Sequence, residues 1–254
     1  NIPTSDGIIH GAGNELYNNA SEFYRAENGQ PIGYFWGYKT AGIFQDTQEI
    51  DEWRAAGNGI LQSNVQPGDV RFVDRNHDGQ INNKDKVNLG NGTPDFTLGL
   101  NLGFVYKGFD FSIVANGAFG QQIVQSYRNH TRPTPNYTTA ILDRWHGEGT
   151  SNRIPRVTDS NINYQFSDLF IQNGDYLRLS TLTLGYDFAK LFKGKAVSQA
   201  RLYFQVQNLF TITGYDGMDP EIGFGSSNNS WVSGLDYGYY PRPRTVLVGV
   251  NLKF

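Results

Sequence analysis

The residues best suited to chemistry lie in one stretch, Asp74-Arg75-Asn76-His77-Asp78-Gly79-Gln80-Ile81-Asn82-Asn83-Lys84-Asp85. Oxygen-bearing side chains recur at alternate positions, Asp74, Asn76 and Asp78, and Gln80 follows in phase with its backbone carbonyl. Calcium takes six to eight oxygen ligands, and a loop of about twelve residues supplies them with this spacing. Gly79 in the sixth position permits the sharp turn, Ile81 in the eighth is an apolar anchor, and Asn82 in the ninth would act through water. The twelfth position holds Asp85 where Glu is usual, and its shorter side chain weakens a bidentate grip. Gly68-Asp69-Val70-Arg71-Phe72-Val73 reads as a strand, so the loop is isolated and not flanked by two helices. We therefore expect calcium bound at 74–85 with a structural role, bracing the long segment 45–95. The opposing reading is a polar turn of Asp, Asn and Gly that binds nothing.

A second group is aromatic. Trp231, Tyr237, Tyr239 and Tyr240 lie in the last long segment and could stack on sugar faces; equally they could form an interfacial belt or pack within the loop. Catalytic patterns are missing. The four His (His10, His77, His130, His146) include no pair at metal-ligand spacing, and neither a G-x-S-x-G elbow nor a phosphate-binding loop occurs. Gly57/Gly59 and Gly223/Gly225 lack the third glycine of a dinucleotide fingerprint. Asp216, Asp219 and Glu221 cluster in one loop, where a glycosidase pair is conceivable, but turn chemistry commonly collects such residues. The sequon Asn129-His130-Thr131 is expected by chance in an Asn-rich chain. The chain is read as a non-enzyme.

Composition narrows the partners. The 254 residues carry a net charge of −3 with no basic stripe, which excludes a nucleic-acid partner. Mean hydropathy is −0.48, and no apolar run approaches the roughly 20 residues of a spanning helix. Barrels escape that exclusion, because their strands are apolar on one face only. Cysteine is absent, so disulfide and thiolate chemistry are excluded. Asn1-Ile2-Pro3-Thr4 shows no basic or apolar leader, so either a signal was removed or the chain begins inside a longer one.

The elements that must position these groups are strands. From Phe96 to Tyr106 one face reads Phe96, Leu98, Leu100, Leu102, Phe104, Tyr106, and the other Thr97, Gly99, Asn101, Gly103, Val105. After Lys107-Gly108 the alternation resumes with Phe109, Phe111, Ile113 and Ala115, a hairpin with a minimal connection. Thr181–Phe188 and Arg201–Gln207 predict a second hairpin, and Thr245–Phe254 a last strand with Val246, Val248, Val250, Leu252 and Phe254 in phase. Gly33–Phe44 predicts one further strand, and Gln48–Ala56 a short helix.

A soluble β-sandwich packs its apolar faces inward, whereas a transmembrane barrel turns them to lipid. Aromatics bracket the strands here (Phe96 and Tyr106, Phe109 and Phe119, Tyr186 and Phe188, Phe254), as interfacial girdles would. Short links at Lys107-Gly108 and Ala189–Ala200 alternate with long ones, Gln45–Asp95, Gln121–Asp175 and Gly214–Arg244. That is the barrel pattern of short periplasmic turns and long extracellular loops. The expected fold is all-β, a transmembrane antiparallel β-barrel of which the chain supplies six to eight strands.

In order along the chain, further segments carry a resemblance. They include Gly29-Gln30-Pro31-Ile32-Gly33-Tyr34-Phe35-Trp36-Gly37-Tyr38-Lys39, Pro67-Gly68-Asp69-Val70 and Pro94-Asp95-Phe96-Thr97-Leu98-Gly99. Tyr106-Lys107-Gly108-Phe109-Asp110, Asp175-Tyr176-Leu177-Arg178-Leu179, Gln207-Asn208-Leu209-Phe210-Thr211 and Asp219-Pro220-Glu221 continue it. Together they resemble the C-terminal region of SusC/RagA-type TonB-dependent transporters. The resemblance implies the closing portion (residues 1–254) of an outer-membrane barrel of about 22 strands around a plug. It also implies a plug and a TonB-contacting part outside this chain, energisation by the TonB complex, and a SusD-like surface lipoprotein as lid, which Trp231, Tyr237, Tyr239 and Tyr240 could contact. The implied cargo is an oligosaccharide, or a peptide in some members. Two alternatives stay open: a siderophore or cobalamin transporter, and a secreted calcium-stabilised carbohydrate-binding β-sandwich.

Overall fold

A computed structural model describes residues 6–11, 22–126, 138–158, 162–189, 197–223 and 231–254. His130, the sequon around it and Gly225 lie outside the described residues. The chain forms two compact units.

The first unit comprises 1–92, 123–172 and 223–238. Its early strands are β1 (Ile8–Gly11), β2 (Tyr24–Glu27), β3 (Tyr34–Tyr38) and β4 (Thr40–Ile43). The single strand expected over Gly33–Phe44 is thus two, because β3 pairs with β2 and a later strand, while β4 turns away to another partner. Helix α1 (Thr47–Ala55) follows, close to the expected 48–56. Its start is fixed by Asp46, whose carboxylate accepts from the Glu49 N–H at 2.8 Å. Then come β5 (Val70–Phe72) and β6 (Lys86–Asn88), which pair antiparallel with β4 and β3 respectively. Phe23, Tyr24, Phe35, Val124, Phe166, Val232 and Leu235 form a core closed to solvent. Phe23 lies edge-on to Tyr24 with ring centroids 4.9 Å apart, a geometry that adds to the burial.

The second unit comprises 93–122, 173–222 and 239–254. It is built from β7 (Phe96–Tyr106) and β8 (Phe109–Phe119), then, after the short β9 (Gln122–Gln125) and β10 (Ile171–Asn173), from β11 (Tyr176–Asp187) and β12 (Gln199–Thr213). Past β13 (Leu235–Asp236) the last strand is β14 (Thr245–Lys253). The five long strands make one antiparallel sheet in the order β14-β12-β11-β8-β7. Both expected hairpins are present. Lys107 and Gly108 turn with φ of 49° and 93°, the left-handed pair that a two-residue hairpin demands.

Register carries the expected apolar positions across all five strands. Phe104 lies opposite Phe111, which faces Leu184, then Phe204, then Val248. A neighbouring row runs Leu102, Ile113, Leu182, Val206, Val246. Towards both margins these side chains stand open, Phe104 at 61% exposed and Val248 at 70%, while Val206 on the inner strand β12 is buried. A sandwich would cover this face with a second sheet; among the described residues it stays open. At one end Phe96 stacks on Phe119 at 4.8 Å, and at the other Phe109 meets Tyr186 at 4.5 Å, so aromatics mark both ends of the face.

Two boundaries differ from expectation by more than two residues. β11 begins at Tyr176 instead of Thr181, and β12 runs on to Thr213 instead of Gln207. Between Leu179 and Thr181 the register slips, and Asn208 takes φ of 51°. A bulge there shifts the side-chain phase by one residue, which ends the simple alternation while the pairing continues. The strand ends at Phe96, Phe119, Tyr176 and Thr213 are mutual neighbours through the register, so the excursions 120–175 and 214–244 leave the sheet from one edge.

Candidate functional site

The polar face of the sheet is assembled from every second residue of the same strands. Gly103, Ser112, Thr183 and Gln205 form one row across it, ending at Leu247 on β14, and Asn101, Val114, Thr181, Gln207 and Thr245 form another. Arg201 on β12 forks onto Asp110 on β8, with Nε to Oδ1 at 2.7 Å and Nη2 to Oδ2 at 2.5 Å. Bidentate pairs of this kind fix orientation as well as adding energy. The strand between them carries Gly185, where a Cβ would collide with both groups. Arg201 also lies over the Tyr203 ring at 4.8 Å. The expected polar face is therefore present in these rows, and Arg201 on it is already paired.

Towards the edge from which the long excursions leave, Arg178 is buried and ties the Asp219-Pro220-Glu221 turn to the sheet. Its Nη2 donates to Asp219 and its Nη1 to Glu221, both at 2.6 Å, and its Nε to the Thr211 hydroxyl at 2.9 Å. Arg242 adds a contact to Glu221 at 3.0 Å. Asp219 and Glu221 are thus a charge-neutralised clamp, not a pair of carboxylates awaiting a substrate. Sequence reasoning noted the two acids but missed their cation. Its signal was an Arg on the polar side of a strand, far from them in sequence.

In the acidic turn each oxygen can be followed. Asp74 is 1% exposed; its Oδ2 accepts from the Gly79 N–H at 2.8 Å and the Gly59 N–H at 3.3 Å. Burial pushes the Asp74 carboxyl up, but backbone donors from Gly79, His77, Gly59 and Asp78 outweigh it and hold the group below the usual range. Its other oxygen, Oδ1, is buried without a hydrogen-bond partner. Asn76 and Asp78 are exposed: the Asn76 amide donates to Asp78 Oδ2 at 2.8 Å, and Asp78 Oδ1 accepts from the Gln80 N–H at 3.0 Å. Asp85 is wholly buried, and its two oxygens accept from the N–H groups of Arg75, Asn76 and Asn82. Ile81 packs with Tyr38, Val70 and Phe72, the anchoring contact expected of it. Among the described residues no three His, Asp or Glu side chains converge as a ready metal cage.

The four aromatics divide between the units. Trp231 lies edge-on to Tyr24 at 4.9 Å and, like Tyr237, packs against the first unit's core. Tyr239 and Tyr240 belong to the second unit and are exposed, Tyr240 at 87%. A second aromatic feature went unread in the sequence: the Arg25 guanidinium stacks 3.8 Å over Trp36. Beside it the Tyr34 hydroxyl donates to Glu27 at 2.8 Å, and burial together with that bond pushes Tyr34 up to about 12. Of the histidines, His10 sits between Asp6 at 2.8 Å and Glu22 at 2.5 Å, and the His146 ring lies 2.9 Å from the Arg144 carbonyl.

A sheet apolar on its open face, polar on the other, and fed by long excursions from one edge defines a class, and comparison with known proteins agrees with it. No protein-family model matches the chain. TonB-dependent receptor P3 of Formosa agariphila is 34% identical over 237 residues, covering 89% of this chain and 22% of that protein. TonB-dependent receptor SusC of Bacteroides thetaiotaomicron is 31% identical over 197 residues, covering 77% of this chain and 18% of its own length. The fold matches the RagAB peptide importer in its closed-closed state with a TM-score of 0.66 at 19% identity, over 99% of this chain and 25% of the other. The chain thus spans about a fifth of the length of these sequence relatives. The chain belongs to the TonB-dependent receptors. Within that class its sequence groups with SusC and its relatives. Its relatives are named as receptors and transporters, not enzymes, which agrees with the lack of a catalytic pattern in the sequence.

Proposed function

We propose that this chain forms part of the wall, and part of the outward segments, of a bacterial outer-membrane barrel that imports oligosaccharides with energy from TonB. The observation that carries the reading is the open apolar face of the five-stranded sheet, bracketed by aromatics. Water would penalise that face, whereas lipid accepts it; closure into a barrel of about 22 strands would leave the polar face lining a passage. Excursions from one edge and the two-residue Lys107-Gly108 turn at the other then correspond to extracellular loops and a periplasmic turn. Segment 45–95 is one such loop. A SusD-like lipoprotein acts as lid and meets the exposed Tyr239 and Tyr240, while TonB engages a part of the receptor outside this chain.

A peptide cargo is the second reading, supported by the fold shared with the RagAB peptide importer. Deleting the receptor in its host and measuring uptake of labelled oligosaccharides and labelled peptides separates the two. Loss of glycan uptake alone supports the proposal, and loss of peptide uptake alone transfers the cargo to peptides. Intact uptake of both, with the protein recovered in the soluble fraction, would overturn the importer reading.

A further inference from the structure

We infer that the turn 74–85 is a weak calcium site assembled from Asp74 Oδ1, the Asn76 and Asp78 side chains and the Gln80 carbonyl, with water completing the shell. The sequence spacing alone would not carry this, since Asx turns made by Asp and Asn produce the same pattern without an ion. The independent observation is Asp74 itself. Its side chain is buried, one oxygen is held by backbone donors, and the other is sealed from water with no donor. Buried polar atoms are nearly always satisfied, and a charged oxygen left bare is costly. A bare buried anionic oxygen at the first position of this spacing calls for a cation.

Which cation follows from the donors available. All four are oxygens, two neutral and two anionic; calcium accepts such irregular sets, whereas magnesium demands near-ideal octahedral geometry. Asp85 is left out of the set. It is wholly buried and held by the N–H groups of Arg75, Asn76 and Asn82, closing the turn as a clasp with or without the ion, whereas the exposed Asn76 and Asp78 make only contacts within the turn that an ion can replace. Losing the bidentate ligand in the twelfth position places affinity in the range of about 0.1–1 mM, adequate for an extracellular module. What calcium ties down is local: the turn packs its Gln80 backbone against Gly59, just beyond α1, and Ile81 into the small core with Tyr38, Val70 and Phe72.

The test uses the whole receptor in detergent, stripped with chelator and titrated with calcium chloride, then magnesium chloride, by calorimetry and by protease protection of 56–85. Wild type should show a calcium event that magnesium does not reproduce, with protection rising several-fold. Asp74→Asn should abolish that event, and Asp78→Ala, at an exposed position that folding tolerates, should weaken it at least tenfold. Asp85→Asn should lower protection equally with and without calcium. Titrations of Asp74→Asn and Asp78→Ala that match wild type would overturn the site, as would wild type showing neither heat nor protection. A calcium event lost in Asp85→Asn but kept in Asp78→Ala would overturn the ligand set.

Discussion

In the first unit Phe23, Phe35 and Phe166 are sealed from solvent against one another, whereas in the second Phe104, Phe109 and Phe254 stand out from the surface. Composition does not separate them; both regions are rich in Phe, Tyr and Val. The difference lies in how many faces the chain must satisfy. The first unit wraps short strands and turns round its aromatics and needs no outside medium. The second spreads the same residue types over one face of a single sheet and leaves most of them uncovered among the described residues. Alternation along a strand thus states that two faces differ, and only the packing states which one meets water.

Three substitutions press on this contrast. The largest effect should come from Phe166→Ala, which opens a cavity in a closed core and should cost about 3–5 kcal/mol. Phe104→Ala opens no cavity and should lose only a transfer term of about 1–2 kcal/mol. Hydrogen exchange across a urea series reads both, at the Val124 and Leu235 amides for the first and along β7 for the second; equal costs would erase the contrast. Next, Leu102→Arg should destabilise the receptor in lipid vesicles by about 2–4 kcal/mol, yet on a water-facing sheet an exposed arginine would be nearly neutral. Unimpaired folding of that variant in vesicles would sink the lipid-facing assignment.

The smallest effect concerns β1. Hydrogen bonds to Asp6 and then Glu22 raise the His10 pKa above its ordinary value, against an opposing contribution from burial. A raised folded-state value means that the stabilisation is complete below about pH 6.5 and is lost as pH rises through the folded value. It also fades in strong acid, where Glu22 protonates. Burial pushes Glu22 up, but bonds from Arg25 and His10 outweigh it and hold it below the usual range. Because His10 is well exposed, screening keeps the effect small. Amides of Ile8–Gly11 should exchange a few-fold more slowly at pH 6 than at pH 8.5 after correction for intrinsic rates. His10→Gln should remove the difference; a wild type already indifferent to pH would refute the coupling.

Much of the sheet was legible because its evidence is local. The faces of β7, β8 and β14 and the Lys107-Gly108 turn follow from neighbours in sequence. Legibility stopped at Thr181 and Gln207, where the bulge at Leu179/Thr181 and the left-handed Asn208 break the period while the pairing runs on. The acidic turn was legible as a spacing, but the commitment of Asp85 to three backbone donors depends on how the turn closes. Trp231 and Tyr237 illustrate the other limit. Their packing against a core that includes Tyr24 and Phe23 is a contact across most of the chain, and no window of sequence contains it. The Arg178 clamp was hidden for the same reason, its acids lying about forty residues away.

The sheet has two outer strands. Among the described residues β7 pairs only with β8, and β14 only with β12. Along β7, eleven residues long, and β14, nine residues long, every second N–H and C=O therefore points outward with its bonding capacity unused. In hydrocarbon each such group costs several kcal/mol, so both margins act as templates that dictate adjacency. In the proposed barrel, whatever flanks them is strand, antiparallel or parallel, and matched in length. Cut away from those neighbours and placed in water, the same margins would recruit each other, and the chain expressed alone should zip edge to edge into aggregates.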